Sequence, residues 1–301
     1  MLNRTHIDAV VRAALDEDAP WGDLTSEVLI PADATAAADL RAREDGVFSG
    51  GEVFAAAFAL TDPRIAVTLR VADGDRFAAG DVLASVTGPA RGILTAERIG
   101  LNFTQRMSGI ATQTAAYVAA VAHTDARIVD TRKTTPGLRR VERHAVRSGG
   151  GHNHRFSLSD AVMAKDNHLA VLTRRHGSLT AALQAARAAL PHTTHLEVEI
   201  DRLDQLDAVL AAGTGPRGVG TIMLDNFTVD DLRTGVARIA GRTIVEASGG
   251  VSLDTVAAIA ETGVDVISVG ALTHSARALD LGLDVRLDAL DTGDIVDTRD
   301  A

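Results

Sequence analysis

The clearest feature of this chain is a change of rhythm in its apolar positions. Over the first third, helical and alternating spacings are mixed. Residues Ile7 to Leu15 recur at helical spacing and Gly51–Leu60 also reads as a helix. Ala36–Arg43 and Ile65–Val71 alternate as half-buried strands do, with turn residues at Asp73-Gly74-Asp75 and Ala79-Gly80-Asp81. Trp21-Gly22-Asp23-Leu24-Thr25 reads as a further turn. From Thr95 to Ala122 a long periodic segment predicts one or two helices.

Beyond that point the pattern repeats. Short aliphatic runs occur at Arg127–Thr131, Ala161–Ala164, Leu196–Ile200, Thr221–Leu224, Thr243–Ala247 and Val264–Val269. Helices fit at Leu138–Ser148, Ser178–Leu190, Leu203–Ala212, Val229–Ile239 and Leu253–Glu261. Strand alternating with helix predicts a parallel sheet, and six such units predict a barrel rather than an open sheet. The change of character falls near residue 110, with no low-complexity linker to mark it.

Each run ends in polar or glycine residues: Thr131-Arg132-Lys133, Lys165-Asp166-Asn167, Glu197 with Glu199, Asp225-Asn226, Ser248-Gly249-Gly250 and Gly270-Ala271. In a parallel barrel that edge carries the active site, so six successive polar ends argue for one converging site. Arg132, Lys133, Arg139, His154, Arg155 and Lys165 supply cations, while Glu199 and Asp225 supply carboxylates. Arg forks and Lys charges suit a ligand with several anionic groups. The carboxylates suit sugar hydroxyls or a Mg²⁺ carried by a polyphosphate. Ala247-Ser248-Gly249-Gly250-Val251 and Ser268-Val269-Gly270-Ala271-Leu272 have the form of the phosphate-binding turns after a barrel's last strands.

Plainer readings exist for each feature. The glycine pairs also make ordinary turns. His152 and His154 form an H-x-H pair with no obvious third metal ligand. Lys165 closes an apolar run and needs an anionic partner, either Asp225, Glu199 or a ligand. The charges of Arg140–Arg147 suit a solvated helix face, and His274 suits a helix cap as well as a ligand contact.

Composition narrows the classes. The net charge of −10 disfavours nucleic acid and anionic membranes, yet basic residues crowd Arg127 to Lys165, which fits a local anion site. Aromatics are only 3%, so the core is aliphatic, as helices on parallel strands require. With no cysteine, thiol chemistry and disulfides are excluded and a cytoplasmic setting is expected. The first residues carry acids where an export signal is apolar, and no run of about 18 apolar residues suits a membrane span. Neither a P-loop, G-x-G-x-x-G after a first strand, nor a G-x-S-x-G elbow is present. The residues by themselves indicate a barrel enzyme for a small, phosphorylated polyanion.

Several longer segments carry a family resemblance. They are Leu94-Thr95-Ala96-Glu97-Arg98 with Leu101-Asn102-Phe103, Ser108-Gly109-Ile110-Ala111-Thr112, Asp130-Thr131-Arg132-Lys133-Thr134-Thr135-Pro136-Gly137-Leu138-Arg139 and Gly149-Gly150-Gly151-His152-Asn153-His154-Arg155. Lys165-Asp166-Asn167-His168, Glu197-Val198-Glu199, Leu224-Asp225-Asn226, Ala247-Ser248-Gly249-Gly250 and Val269-Gly270-Ala271-Leu272-Thr273-His274-Ser275 follow in order. The chain thereby resembles the quinolinate phosphoribosyltransferase family over nearly its whole length. It departs from the family's usual pattern at Arg143-His144 and Met163-Ala164, keeping charge in one case and apolar character in the other.

The resemblance implies an α/β fold with an N-terminal α/β sandwich domain over 1–110 and an incomplete parallel α/β barrel over 111–275. A C-terminal segment over 276–301 is expected to pack back on the N-terminal domain. It implies quinolinate and phosphoribosyl pyrophosphate as substrates, Mg²⁺ as cofactor, nicotinate mononucleotide, pyrophosphate and carbon dioxide as products, and a homodimer or larger assembly. Arg98 is implied to reach across the subunit interface. Thr131, Arg132, Lys133, Arg139, His154, Arg155 and Lys165 are implied to hold carboxylates and phosphates. Glu199 and Asp225 would face ribose hydroxyls and Mg²⁺, and Ser248, Gly249, Gly250, Gly270, Ala271 and Leu272 would take the 5′-phosphate. Lys133, Lys165, Glu199 and Asp225 are the implied catalytic set. Rival readings are a paralogue linked to molybdenum uptake, a nicotinate phosphoribosyltransferase needing fewer cations, and a non-catalytic binding subunit. The intact Lys165 and His154-Arg155 segments oppose the first, and the retained Glu199 and Asp225 oppose the last.

Overall fold

The computed structural model describes residues 2–286. Residues 287–301, which complete the C-terminal segment expected over 276–301, lie outside the described residues. In chain order come α1 (Arg4–Asp18), α2 (Leu24–Leu29), β1 (Thr35–Ala42), β2 (Gly46–Val47), α3 (Gly51–Thr61), β3 (Ala66–Leu69), β4 (Arg76–Phe77), β5 (Val82–Pro89) and α4 (Ala90–Ala120). Then follow β6 (Arg127–Val129), α5 (Arg139–Ser148), β7 (Val162–Ala164), α6 (Asp166–His176), α7 (Leu179–Ala189), β8 (Leu196–Ile200), α8 (Leu206–Ala211), β9 (Thr221–Asp225) and α9 (Val229–Ile239). The described chain closes with β10 (Ile244–Ser248), α10 (Val256–Ala260), β11 (Val266–Ser268), α11 (Ala271–His274) and β12 (Leu281–Val285). Two compact units share it. One runs to Gln113 and includes Thr135–Gly150 and the chain from Ala276; the other comprises Thr114–Thr134 and Gly151–Ser275.

The first unit is built on an antiparallel sheet in the order β12-β1-β5-β3. Strand β1 is central and buried along most of its length, so Ala36, Ala37 and Ala38 leave room for neighbours on both faces. Phe48, Phe54 and Phe58 form a fully buried aromatic core, with the last two rings 4.8 Å apart. Gly100 of α4 lets that helix approach them, since a Cβ there would lie 3.1 Å from Phe54. Helix α3 is capped from a distance: Asp73 Oδ1 accepts from the Gly50 and Gly51 amides at 3.0 Å, and Oδ2 meets His144 Nε2 at 2.6 Å. Glu142 has no solvent exposure, yet is satisfied by the Arg106 guanidinium and by the Thr135 amide and hydroxyl.

The second unit carries six parallel strands in the order β6-β11-β10-β9-β8-β7. Strands consecutive in sequence, β6 and β7, stand at opposite edges, so the sheet curls into a barrel with one open seam. The chain between them covers the β6 edge. His152 pairs with it, donating to the Ile128 carbonyl at 2.8 Å and accepting from the Asp130 amide at 3.1 Å. Among the described residues, no helix is long and apolar enough to cross a membrane.

Four elements differ from the sequence reading. The expected turn at Trp21–Thr25 gives way to α2 at Leu24, because Asp23 caps it by accepting from the Ser26 amide. Helix α6 was not anticipated: only Leu169 of it is buried, too little to show a period. Strand β5 is hidden by its closing Gly88-Pro89, and β12 by its glycine and aspartate.

The Asp73 cap is testable. Asp73→Ala is expected to lower stability by about 1–3 kcal/mol, by stranding two amides and the His144 partner. Burial works to raise the Asp73 pKa, but His144 and the Gly51 and Gly50 amides outweigh it and hold the carboxyl below the usual carboxylate range. A depressed folded pKa stabilises above the unfolded value and is lost as pH falls through the folded one. Urea unfolding should therefore separate wild type from variant at neutral pH, with the gap closing only under strongly acidic conditions. An equal gap throughout would show that the carboxylate charge is not what holds the cap.

Candidate active site

The C-terminal strand ends of the second unit surround a cavity of about 340 Å³. Thr131, Arg132 and Lys133 reach it from the end of β6, His154 and Arg155 from the seam, and Lys165 from β7. Asp225 of β9 and Ser248 of β10 complete its polar wall, with Met163, Met223 and Ser268 between them. The volume suits one small planar ligand. A larger cavity of about 850 Å³ lies in the first unit between α1, α4 and α5, but its Arg106 is already committed to Glu142 and the Ala276 carbonyl. Converging cations at the strand ends, rather than size, mark the smaller one as the site.

Buried acids hold these cations in place. Asp130 has no exposure; its Oδ1 accepts from the His154 amide at 2.8 Å and its Oδ2 from Asn153 Nδ2 at 2.5 Å. The Arg155 guanidinium donates to the Ala161 carbonyl at 2.9 Å, tying the seam segment to the start of β7. Lys165 finds its expected anionic partner in Glu199, through a close Nζ–Oε2 ion pair. Thr273 donates to the Lys133 carbonyl at 2.8 Å, fixing that loop beside the turn at Gly270. Arg132 Nε is buried without a hydrogen-bond partner, a donor left for a ligand.

Beneath the cavity lies a cluster that the spacing did not reveal. His154 Nε2 stands 3.3 Å from Glu197 and 3.4 Å from Glu246, and Ser268 Oγ closes on Glu246. Burial disfavours a charged ring, but the two carboxylates prevail and push the His154 pKa up to about 10. The Arg155 amide, 2.7 Å from Nδ1, opposes this, because an imidazolium has no lone pair there. Two carboxylate charges outweigh one peptide dipole, so the direction is upward. Burial, and then the charge of Glu246, push Glu197 up despite His154. The ligand atoms of the trio lie within 4.8 Å of one another. The trio is a charge-paired cluster in which both carboxylates face Nε2 of His154.

The glycine turns divide by need. Gly249 adopts φ +90° and a Cβ there would lie 2.2 Å from Asn226 Oδ1, so only glycine fits. Asn226 itself takes φ 60° and donates to Asp225 Oδ2 at 2.8 Å, steadying the carboxylate. Gly250 also has positive φ, whereas Gly270 does not. Leu272 is fully buried, which leaves only the backbone of Gly270-Ala271-Leu272 for a ligand. Arg98, exposed on α4, and Arg139, half-buried at the start of α5, both belong to the first unit. Glu199 and Asp225 are hard oxygen donors of the kind Mg²⁺ takes, though Lys165 already engages Glu199. Sequence reasoning assigned no role to Asp130 or Glu246, and placed Ser268 only in a glycine turn for phosphate. Glu197 had a legible signal, since it stands two residues before Glu199 and faces the same way on a strand.

Two family models match the chain: the quinolinate phosphoribosyl transferase N-terminal domain over residues 23–108 and its C-terminal domain over 110–284. The nicotinate-nucleotide pyrophosphorylase [carboxylating] of Mycobacterium leprae is 45% identical over 297 residues, spanning 95% of this chain and 100% of that protein. The probable nicotinate-nucleotide pyrophosphorylase [carboxylating] of Bacillus subtilis is 40% identical over 286 residues, spanning 95% and 96%. The crystal structure of NadC from Streptococcus pyogenes superposes with a TM-score of 0.88 at 40% identity, covering 95% of this chain and 98% of that one. With both domain models matched in order, and relatives of this identity along its length, the chain belongs to the quinolinate phosphoribosyltransferase family.

Proposed function

We propose that the cation-lined mouth of the barrel is where this enzyme transfers a phosphoribosyl group from phosphoribosyl pyrophosphate to quinolinate. Carbon dioxide is lost and nicotinate mononucleotide and pyrophosphate form, a step of NAD biosynthesis. The observation that carries the reading is one small cavity bearing Arg132, Lys133, His154, Arg155 and Lys165 together, with Asp225 on its wall. A pyridine with two adjacent carboxylates is the kind of ligand that needs so many positive charges in so little space. Arg forks would grip the carboxylates and Lys165 would neutralise them. The Ser248-Gly249-Gly250 and Gly270-Ala271-Leu272 backbones would receive the 5′-phosphate.

Quinolinate nitrogen is a poor nucleophile, so holding it in line with C1 of the ribose carries much of the rate. As the C1–oxygen bond to pyrophosphate breaks, positive charge grows on the sugar; Asp225 and Glu199 would stabilise it. Mg²⁺, held by pyrophosphate oxygens with Glu199 and Asp225, would neutralise the leaving group. After transfer, the electron pair of the bond to the 2-carboxylate stays on the ring carbon, carbon dioxide departs, and that carbon takes a proton.

A homodimer and a cytoplasmic setting complete the proposal. The absence of cysteine supports a reducing compartment. Trp21, 94% exposed, with Leu24, Val28 and Leu29, forms an apolar surface that supports coverage by a second copy.

Purified protein with quinolinate, phosphoribosyl pyrophosphate and Mg²⁺ should yield nicotinate mononucleotide and carbon dioxide, and none from nicotinate. Turnover of nicotinate alone would overturn the substrate, and silence with both would overturn the activity. Chelation of Mg²⁺ should stop the reaction reversibly; unchanged rates in EDTA would remove the metal. Lys133→Ala should cut kcat/KM by on the order of 100-fold or more. Its Tm should stay put, because the side chain is exposed. Mixed Arg98→Ala and Lys133→Ala subunits should regain partial activity, whereas verified heterodimers that stay inactive would end the shared-site reading.

A further inference from the structure

The barrel interior holds two acids that the reaction above does not use. Glu246 on β10 and Glu197 on β8 are each 3% exposed. A barrel core is ordinarily filled by branched aliphatic side chains, and an unpaired buried carboxylate is costly. Both acids face the same atom, Nε2 of His154, at 3.4 and 3.3 Å. Glu246 is held in turn by the buried Ser268 hydroxyl at the end of β11. The other ring nitrogen lies 2.7 Å from the Arg155 amide nitrogen. The ring is therefore held by carboxylates on one side and set against the Arg155 backbone on the other. Both residues line the cavity, whereas Glu197 and Glu246 lie below it.

We propose that Glu246, seated by Ser268 and paired with Glu197, is a positioning residue that sets the His154 ring and the Arg155 backbone before the pyridine substrate binds. The proposal rests on reading this cavity as the quinolinate site. Charge-assisted hydrogen bonds from the ring N–H to a fixed carboxylate pair hold a ring more tightly than neutral ones. Other charged groups facing this ring are Arg155 beside it and, toward the opposite strand ends, His195, whose pKa burial and the His154 charge both lower. Arg132 acts on Arg155 in the same crowded cavity. Removing Glu246 would leave Glu197 alone beneath the ring, free to draw it off axis.

The experiment compares wild type with Glu246→Ala, Glu246→Gln, Glu246→Asp and Ser268→Ala. Imidazole NMR of the substrate-free protein should show a solvent-protected Nε2–H on His154. In Glu246→Ala that resonance should shift and exchange faster, with smaller changes in Glu246→Gln and Ser268→Ala and partial rescue in Glu246→Asp. KM for quinolinate should rise on the order of ten- to a hundred-fold in Glu246→Ala, with KM for phosphoribosyl pyrophosphate nearly unchanged. A wild-type ring without a protected Nε2–H would overturn the proposal, whether or not any variant folds. So would a folded Glu246→Ala with wild-type KM for quinolinate, or losses that track Tm alone. The NMR needs no substrate, so failure of wild type to turn over quinolinate would count against the activity and leave the positioning role to the spectra.

Discussion

Five cations cannot share one cavity without buried acids beneath them, and the barrel's polar architecture follows from that constraint. Two like charges 4 Å apart repel by about 4 kcal/mol at an effective dielectric of 20. Several such pairs would rival the roughly 5–15 kcal/mol by which a domain is stable. The unit answers with carboxylates set one layer below the cations or against them. Asp130 grips the backbone of the seam segment, Glu199 meets Lys165, and Glu197 with Glu246 meets His154. Each acid sits on or directly after a strand, so the sheet holds it rigid. A loop carboxylate would swing with its charge and lose the compensation. The open seam between β6 and β7 has a place in the same logic. It admits a segment whose side chains enter the barrel from the side, giving His154 and Arg155 a route that a strand end does not provide.

The conformation of the phosphate-side turns is also forced locally. Asn226 steps into the left-handed region immediately after β9, and its amide donates to the Ser248 carbonyl of the next strand at 2.8 Å. That bond extends the β9–β10 ladder past its last pair, Asp225 with Ser248. The Asn226 side chain is then left against Gly249 and Asp225, where a Cβ on residue 249 would collide with it. One turn thus both orients the carboxylate and exposes backbone at Gly249-Gly250. Asparagine tolerates this conformation better than other side chains, which is why Asp225-Asn226 and Ser248-Gly249-Gly250 belong to one device although they lie on separate units of the repeat.

Legibility in the sequence depended on how much each residue owed to its neighbours in the chain. Strands β8 and β9 and helix α9 were readable because a full aliphatic run or a full helical period lies within a few residues. Helix α6 was not, since it buries only Leu169 and its polar face dominates the pattern. Strand β12 owes its existence to pairing with β1, from Ala42↔Leu281 to Ala38↔Val285, a partner about 240 positions away that no local window contains. Among site residues, Arg132, Lys133, Lys165 and Asp225 stood out as polar ends of apolar runs. Glu246 did not, because it lies inside its run, two residues before the turn, and reads there as an interruption.

Whether an interior acid is a flaw in the pattern or part of the site is decided by register. Glu246 is paired with Met223 on one side and Val266 on the other, and Met223 is paired with Glu199. These rungs bring Glu246 to the level of Glu199 around the barrel. Period-two alternation then puts Glu197 and Ser248 on the same inward face as their partners two residues along. Strands β8 and β10 thereby present polar side chains to a space that aliphatic residues would otherwise fill. Stability alone gives no reason for that choice, because replacing a buried ion pair by apolar groups is often neutral or favourable. The acids make sense as counter-charges for a cationic site, so the interior of the barrel and its mouth are one functional structure rather than a core with a site on top.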